Sequence, residues 1–142
     1  AASIARHGKG LIAATYLNLG ERYANAATAT AREFLAALVR ELFPKPLVEV
    51  RGSHCVDVSV NRIGGKRAVN LVNTAGPHAN ANVYTFDEVP PVGPLDVTIR
   101  TGTRPTRVTL EPAKKRLRFD YTRGAVHLTL PRLEIHEIIV VE

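Results

Sequence analysis

The residues best suited to holding a ligand gather in one stretch. Asn70, Asn73, His78, Asn80, Asn82, Asp87 and Glu88 lie within or beside the connection PHANANVYTFDEVPPVGP, which follows Gly76. Amides and carboxylates at this density suit sugar hydroxyls or a calcium ion. The same residue types also build ordinary turns, which is the simpler reading. No calcium-loop spacing occurs, and only Tyr84 and Phe86 offer stacking surfaces. The ligand-binding candidates are therefore Asn73, His78, Asn80, Asn82, Asp87 and Glu88, with carbohydrate as the ligand they would take.

Other chemistry is sparse. His7, His54, His78, His127 and His136 show no metal-ligand spacing on one element. His127 and His136 would face each other if their strands met in a tight hairpin at Pro131-Arg132. Proline cannot adopt the positive φ of such a turn, so structural histidines are expected. Cys55 is the only cysteine, which excludes an internal disulfide and a multi-cysteine metal site. It reads as a small buried hydrophobe. Asp87 and Glu88 are adjacent and do not define a glycoside-hydrolysing carboxylate pair, and no GxSxG, Walker or GxGxxG motif is present. The expectation is no catalytic centre, no metal and no cofactor in this chain.

Charge points to one further function class. The net charge is +6, and Arg100, Arg104, Arg107, Lys114, Lys115, Arg116, Arg118 and Arg123 face only Glu111 and Asp120 in their stretch. The stripe at 100–124 could attract a polyanion. These residues also fall on turns and outward strand positions, where they protect sheet edges. Aromatics are 6% and tryptophan is absent, so nucleic acid is not an expected partner. No apolar run approaches the roughly 20 residues of a bilayer span, and no membrane partner or secretory leader is expected. Apolar content of 45% and charged content of 23% are those of a globular chain.

The elements that must position these groups fall into two parts. GLIAATYLNLG, residues 10–20, reads as one buried strand of parallel type after a polar lead-in at 1–9. A loop is expected from Glu21 to about Ala29. Thr30 and Glu33 form a capping-box pattern opening a helix to about Leu42, with Phe34, Leu35, Leu38, Val39 and Leu42 on one stripe. Pro44 and Pro46 end it. One strand and one amphipathic helix cannot bury their own faces. Residues 1–46 thus read as the tail of an α/β domain, covered by the remainder of a parent polypeptide or by another chain. The absence of methionine, position 1 included, fits a piece of a longer product.

After Pro46 the pattern becomes strands with period-two alternation. They are expected at 47–52, 55–62, 67–74, 95–101, 107–111, 116–121, 125–130 and 133–141, with a Gly64-Gly65 hairpin turn. The fold class is mainly β, an antiparallel β-sandwich of about eight strands with an N-terminal strand–helix unit. Inward candidates include Val56, Val58, Val60, Val69, Leu71, Val97, Ile99, Val108, Leu110, Leu117, Phe119, Val126, Leu128, Leu130 and Ile135. The last strand is apolar on both phases and is expected to be central, or covered on its outer face by the first part of the chain.

The segments GKGLIAATYLNLGERY (8–23), LFPKPLVEVRGS (42–53), VNLVNTAGPH (69–78), FDEVPPVGPL (86–95) and LPRLEIHEIIVVE (130–142) resemble the C-terminal end of large bacterial glycoside-hydrolase-like proteins. Those proteins are similar to α-L-fucosidases and β-galactosidases in domain order. The resemblance implies that residues 1–46 close a glutamine-amidotransferase-like domain of the β-galactosidase trimerisation type. Residues 47–142 would be the terminal β-sandwich. The catalytic groups would lie in a barrel outside this chain. The implied function is a non-catalytic accessory region with a structural or oligomerisation role. The alternatives are a carbohydrate-binding module and a polyanion binder using 100–124.

Overall fold

Strand alternation governs most of the computed structural model, which describes residues 2–26, 28–76 and 88–142. The fold is mainly β, and the chain divides into two compact units, Ala1–Pro46 and Leu47–Glu142.

The first unit opens with two strands where one was expected. β1 (Ala2–His7) and β2 (Gly10–Thr15) pair antiparallel, with His7 opposite Gly10. The expected polar lead-in is thus a strand, and the parallel-type strand at 10–20 is half of a hairpin. Continuous apolar character at 11–17 does not reflect burial, since Leu11, Ile12, Tyr16 and Leu17 are exposed. The expected loop after Glu21 is a helix, α1 (Leu19–Ala26). A second helix, α2 (Ala29–Leu42), ends where Phe43 donates to the Val39 carbonyl at 2.8 Å. Its N-cap is Thr28, which makes no side-chain cap bond. Thr30 lies inside the helix, so the expected N-cap is two residues beyond the observed one. The apolar stripe is real, but the sole buried hydrophobic residue described in this unit is Ala31.

The second unit is a sandwich of two antiparallel sheets. One has the order β3 (Val48–Arg51), β6 (Leu95–Arg100), β10 (Ala125–Leu130) and β9 (Asp120–Thr122). The other has the order β4 (Val56–Ile63), β5 (Lys66–Asn73), β11 (His136–Val141), β7 (Val108–Glu111) and β8 (Lys115–Arg116). Gly64 and Gly65, both at positive φ, close the β4–β5 hairpin between paired Ile63 and Lys66. Inner-face residues of the two sheets meet in one core. Val69, Leu71, Val108, Leu110, Ile139 and Val141 pack against Leu95, Val97, Ile99, Val126, Leu128 and Leu130. Each fully buried aliphatic side chain contributes about 1.5–3 kcal/mol.

β11 lies between β5 and β7, which accounts for apolar residues on both of its phases. Glu137 interrupts the inward row of Ile139 and Val141, and its Oε2 is buried without a hydrogen bond. Val60 and Ile135, expected inside, are exposed at 38% and 65%. Val60 sits on edge strand β4. Ile135 precedes β11, on a segment that crosses between sheets.

Two crossings reshape the expected strands. β10 and β11 belong to different sheets, so His127 and His136 do not face each other. Pro131–Ile135 connects them, and Leu133 is fully buried there, exchanging bonds of 2.8 and 3.0 Å with Val92. The strand expected at 116–121 is split. Lys115–Arg116 pairs with β7 in one sheet and Asp120–Thr122 with β10 in the other. Leu117 and Phe119 lie between and pack against the core.

Candidate functional site

Of the loop candidates, Asn73 is buried. It ends β5 and is 7% exposed. Its Nδ2 donates to the carbonyls of Pro90 at 2.9 Å, Glu134 at 2.6 Å and, at the 3.5 Å limit, Leu133. Its Oδ1 accepts from the Ala75 backbone N–H at 2.9 Å. The amide is therefore occupied by backbone, and it ties the two ends of the long connection to the crossing at 133–134. Glu88 is exposed. His78, Asn80, Asn82 and Asp87 lie outside the described residues. No group of three metal-ligating side chains occurs among the described residues.

The basic stripe is distributed over both sheets, with Arg104, Arg116 and Arg118 lining one cleft of about 500 Å³. Lys115 and Arg116 sit on edge strand β8, and Lys114 is in the turn before it at φ +52°. Arg107 pairs with Glu142 at 2.8 Å, which Lys66 also reaches at 2.8 Å. These two bonds hold the Glu142 carboxyl below its ordinary range. Arg104 lies 5.8 Å from the centre of the Phe119 ring. Arg100 ends β6 and Arg123 lies in the turn between β9 and β10, both in the other sheet, while Arg118 lies in the segment that crosses between the sheets.

That sheet has a polar outer face which the sequence reading did not assemble. Register sets it out in rows. Glu49, Thr98, His127 and Asp120 lie side by side across β3, β6, β10 and β9. In the next row Arg51, Asp96 and Thr129 are neighbours. Side chains on this face are fixed by one another. Thr129 Oγ1 donates to Asp96 Oδ1 at 2.8 Å, Thr98 Oγ1 lies 3.2 Å from His127 Nδ1, and Arg51 grips Glu49 through two nitrogens. β9 pairs with β10 only as far as His127. Beyond that point the chain leaves for the other sheet, and among the described residues 128–130 of β10 pair with β6 alone. A cleft of about 540 Å³ opens there, lined by Asp96, Val97, Thr98, Arg118, Phe119, Asp120, His127, Leu128 and Thr129. The alternation of 95–100 and 125–130 was legible. Their adjacency needed the topology.

The first unit offers a different surface. Ile4, Leu11, Ile12, Leu17, Val39 and Phe43 are each more than 40% exposed. A groove of about 670 Å³ between α1 and α2 includes Leu17, Ala31 and Phe34.

The fold is thus a mainly-β sandwich with an N-terminal strand–helix unit. No protein-family model matches the chain, and no curated protein matches it in sequence. Among solved structures, it is similar to α-L-fucosidase isoenzyme 2 from Paenibacillus thiaminolyticus, with a TM-score of 0.78 and 20% identity. The match covers 98% of this chain and 21% of that one. The chain thus shares the fold of one part of that structure and spans about a fifth of its length.

Proposed function

We propose that this chain is a non-catalytic accessory region of a glycoside-hydrolase-like protein, bracing the catalytic part and contributing to assembly. The observation that carries the reading is the bare apolar surface of residues 2–46. Among the described residues there, Ala31 alone is buried, while Leu11, Ile12, Tyr16, Leu17, Val39 and Phe43 stand exposed. Exposed apolar side chains at this density mark an interaction surface. Among the described residues the two-stranded sheet also has no strand beyond β1 or β2, and such edges are a template for further strands. The partner is the remainder of the parent polypeptide or another protein chain. In this reading residues 1–46 close an amidotransferase-like domain and 47–142 form the terminal sandwich. The fold likeness to an α-L-fucosidase supports the setting.

Light scattering with a thermal melt tests this on the 142-residue chain. Self-association, reduced when Val39 and Phe43 are both replaced by Glu, is the expected result. A monomer that melts cooperatively and binds no apolar dye would sink the proposal.

A further inference from the structure

We infer that the cleft between residues 104–106 and 116–119 of the sandwich binds a tetrahedral dianion, a phosphate or sulfate group, a role the bracing function does not call for. The cleft measures about 500 Å³ and brings together Arg104, Arg116 and Arg118 with Thr106 and Phe119. Among the described residues, no carboxylate lines it, and none of the three arginines forms an ion pair. Arg51, Arg107 and Arg132, by contrast, each hold a carboxylate. The carboxylates nearby are not drawn in. Arg118 also borders the cleft that contains Asp96 and Asp120, without pairing with either. Glu111 lies two residues along β7 from Thr109, the register partner of Arg116, and accepts the Thr109 hydroxyl at 3.2 Å. Three guanidiniums gathered without a counter-charge raise the local potential, and a bound anion relieves it.

Both walls are fixed before any ligand arrives. The Leu117 N–H donates to the Val108 carbonyl at 2.9 Å, and Leu117 and Phe119 pack against the core. Alternation then turns Arg116 and Arg118 outward, and both are exposed. On the other wall the Thr106 N–H donates to the Glu142 carbonyl at 2.7 Å, and its hydroxyl reaches the same oxygen at 3.1 Å. Arg104 is held over the Phe119 ring, 5.8 Å from its centre. Ordering these groups in advance lowers the entropic cost of binding. A neighbouring cleft of about 290 Å³ shares Arg104, Pro105 and Thr106 and adds Arg62 and Arg67. Its one described carboxylate, Glu142, is taken by Lys66 and Arg107.

The donors select the ligand. Guanidinium forks match phosphate-type oxygens in pairs. A carboxylate brings one charge and two oxygens, whereas a tetrahedral dianion brings two charges and oxygens in enough directions for three forks. A nucleic acid is disfavoured. Phe119, the cleft's aromatic, packs against the core and lies under Arg104, which leaves no open ring for a base.

The test is equilibrium dialysis of the 142-residue chain against radiolabelled inorganic phosphate and, separately, sulfate, in excess chloride at neutral pH. The expected result is saturable binding of about one anion per chain, with a Kd of about 1 mM or below. Arg116→Gln and Arg118→Gln should each weaken it about tenfold. Arg104→Lys keeps the charge but loses the fork, and should weaken it as well. If Arg104→Lys disturbs the stack on Phe119, the two exposed positions carry the test. Arg123→Gln removes the same charge outside the cleft and should change the affinity less than about twofold. Phenyl phosphate is then added as a competitor. Displacement marks a site open to phosphate esters, and its absence marks a site for the free ion; either result keeps the assignment and names the source. No saturable binding up to about 10 mM, an equal loss with Arg123→Gln, displacement of the label by equimolar acetate, or binding of a single-stranded oligonucleotide without binding of phosphate would each overturn it. Dialysis counts bound anion whatever the association state of residues 1–46, so either proposal can fail without the other.

Discussion

The side-chain amide of Asn73 donates to the backbone carbonyl of Glu134 at 2.6 Å, joining positions 61 residues apart. The same nitrogen reaches Pro90. One buried amide thus holds the end of β5, the far end of the long connection and the crossing that leads into β11.

Asn73→Ala leaves the Pro90 and Glu134 carbonyls without this donor and opens a gap. The expected loss is about 1–3 kcal/mol of stability, read from denaturant unfolding. Asn73→Asp keeps the shape but sets carboxylate oxygens against those carbonyls, so it should cost at least as much. If Asp is tolerated better than Ala, the hydrogen bonds are not what holds this corner.

Gly52 tests how tightly the first sandwich strand meets the segment before β6. Its φ is +108°, and an added Cβ would lie 2.2 Å from the Pro94 carbonyl oxygen. That contact is with backbone, which cannot swing aside as a side chain can. Gly52→Ala should destabilise the chain by more than about 1 kcal/mol, combining strain with the clash. An unchanged melting temperature would show that the β3 end shifts freely.

Glu142 supplies a pH signature. Lys66 and Arg107 hydrogen-bond its carboxylate and lower its pKa in the folded state. Stabilisation from this group is therefore fully present above the unfolded value, about 4.3. It is lost as pH falls through the lower folded value. Melting curves of the parent chain and Glu142→Gln should differ at neutral pH and converge in acid. The gap should also shrink with added salt, because the pair is near solvent. A gap that widens in acid would contradict the ion pairs.

Much of the sandwich was legible because period-two alternation is a local signal. Leu95–Arg100 and Ala125–Leu130 alternate cleanly, and the structure buries their apolar phase. The central place of β11 followed from its apolar residues on both phases. The first unit was harder to read. LIAATYL suggested burial, yet its large apolar residues are exposed, since hydrophobicity reports a need for cover and not its presence. The split at 116–121 was also hidden, because alternation says which face a residue takes and not which sheet owns it. The polar cleft fell in the same blind spot. His127 and Asp120 are neighbours only through strand register, and nothing in their spacing announces it.

The position of β11 bears on how the chain comes into being. Its five-stranded sheet has the order β4-β5-β11-β7-β8, so the strand latest in sequence occupies the middle. During synthesis β4 and β5 can form their hairpin early, and so can β7 and β8. Neither hairpin can join the other until residues 136–141 have emerged from the ribosome. Until then two strand edges wait open, each able to capture a stray strand. Maturation of this sheet therefore waits on β11 as its keystone, and the nascent sheet is most exposed to aggregation just before that strand arrives.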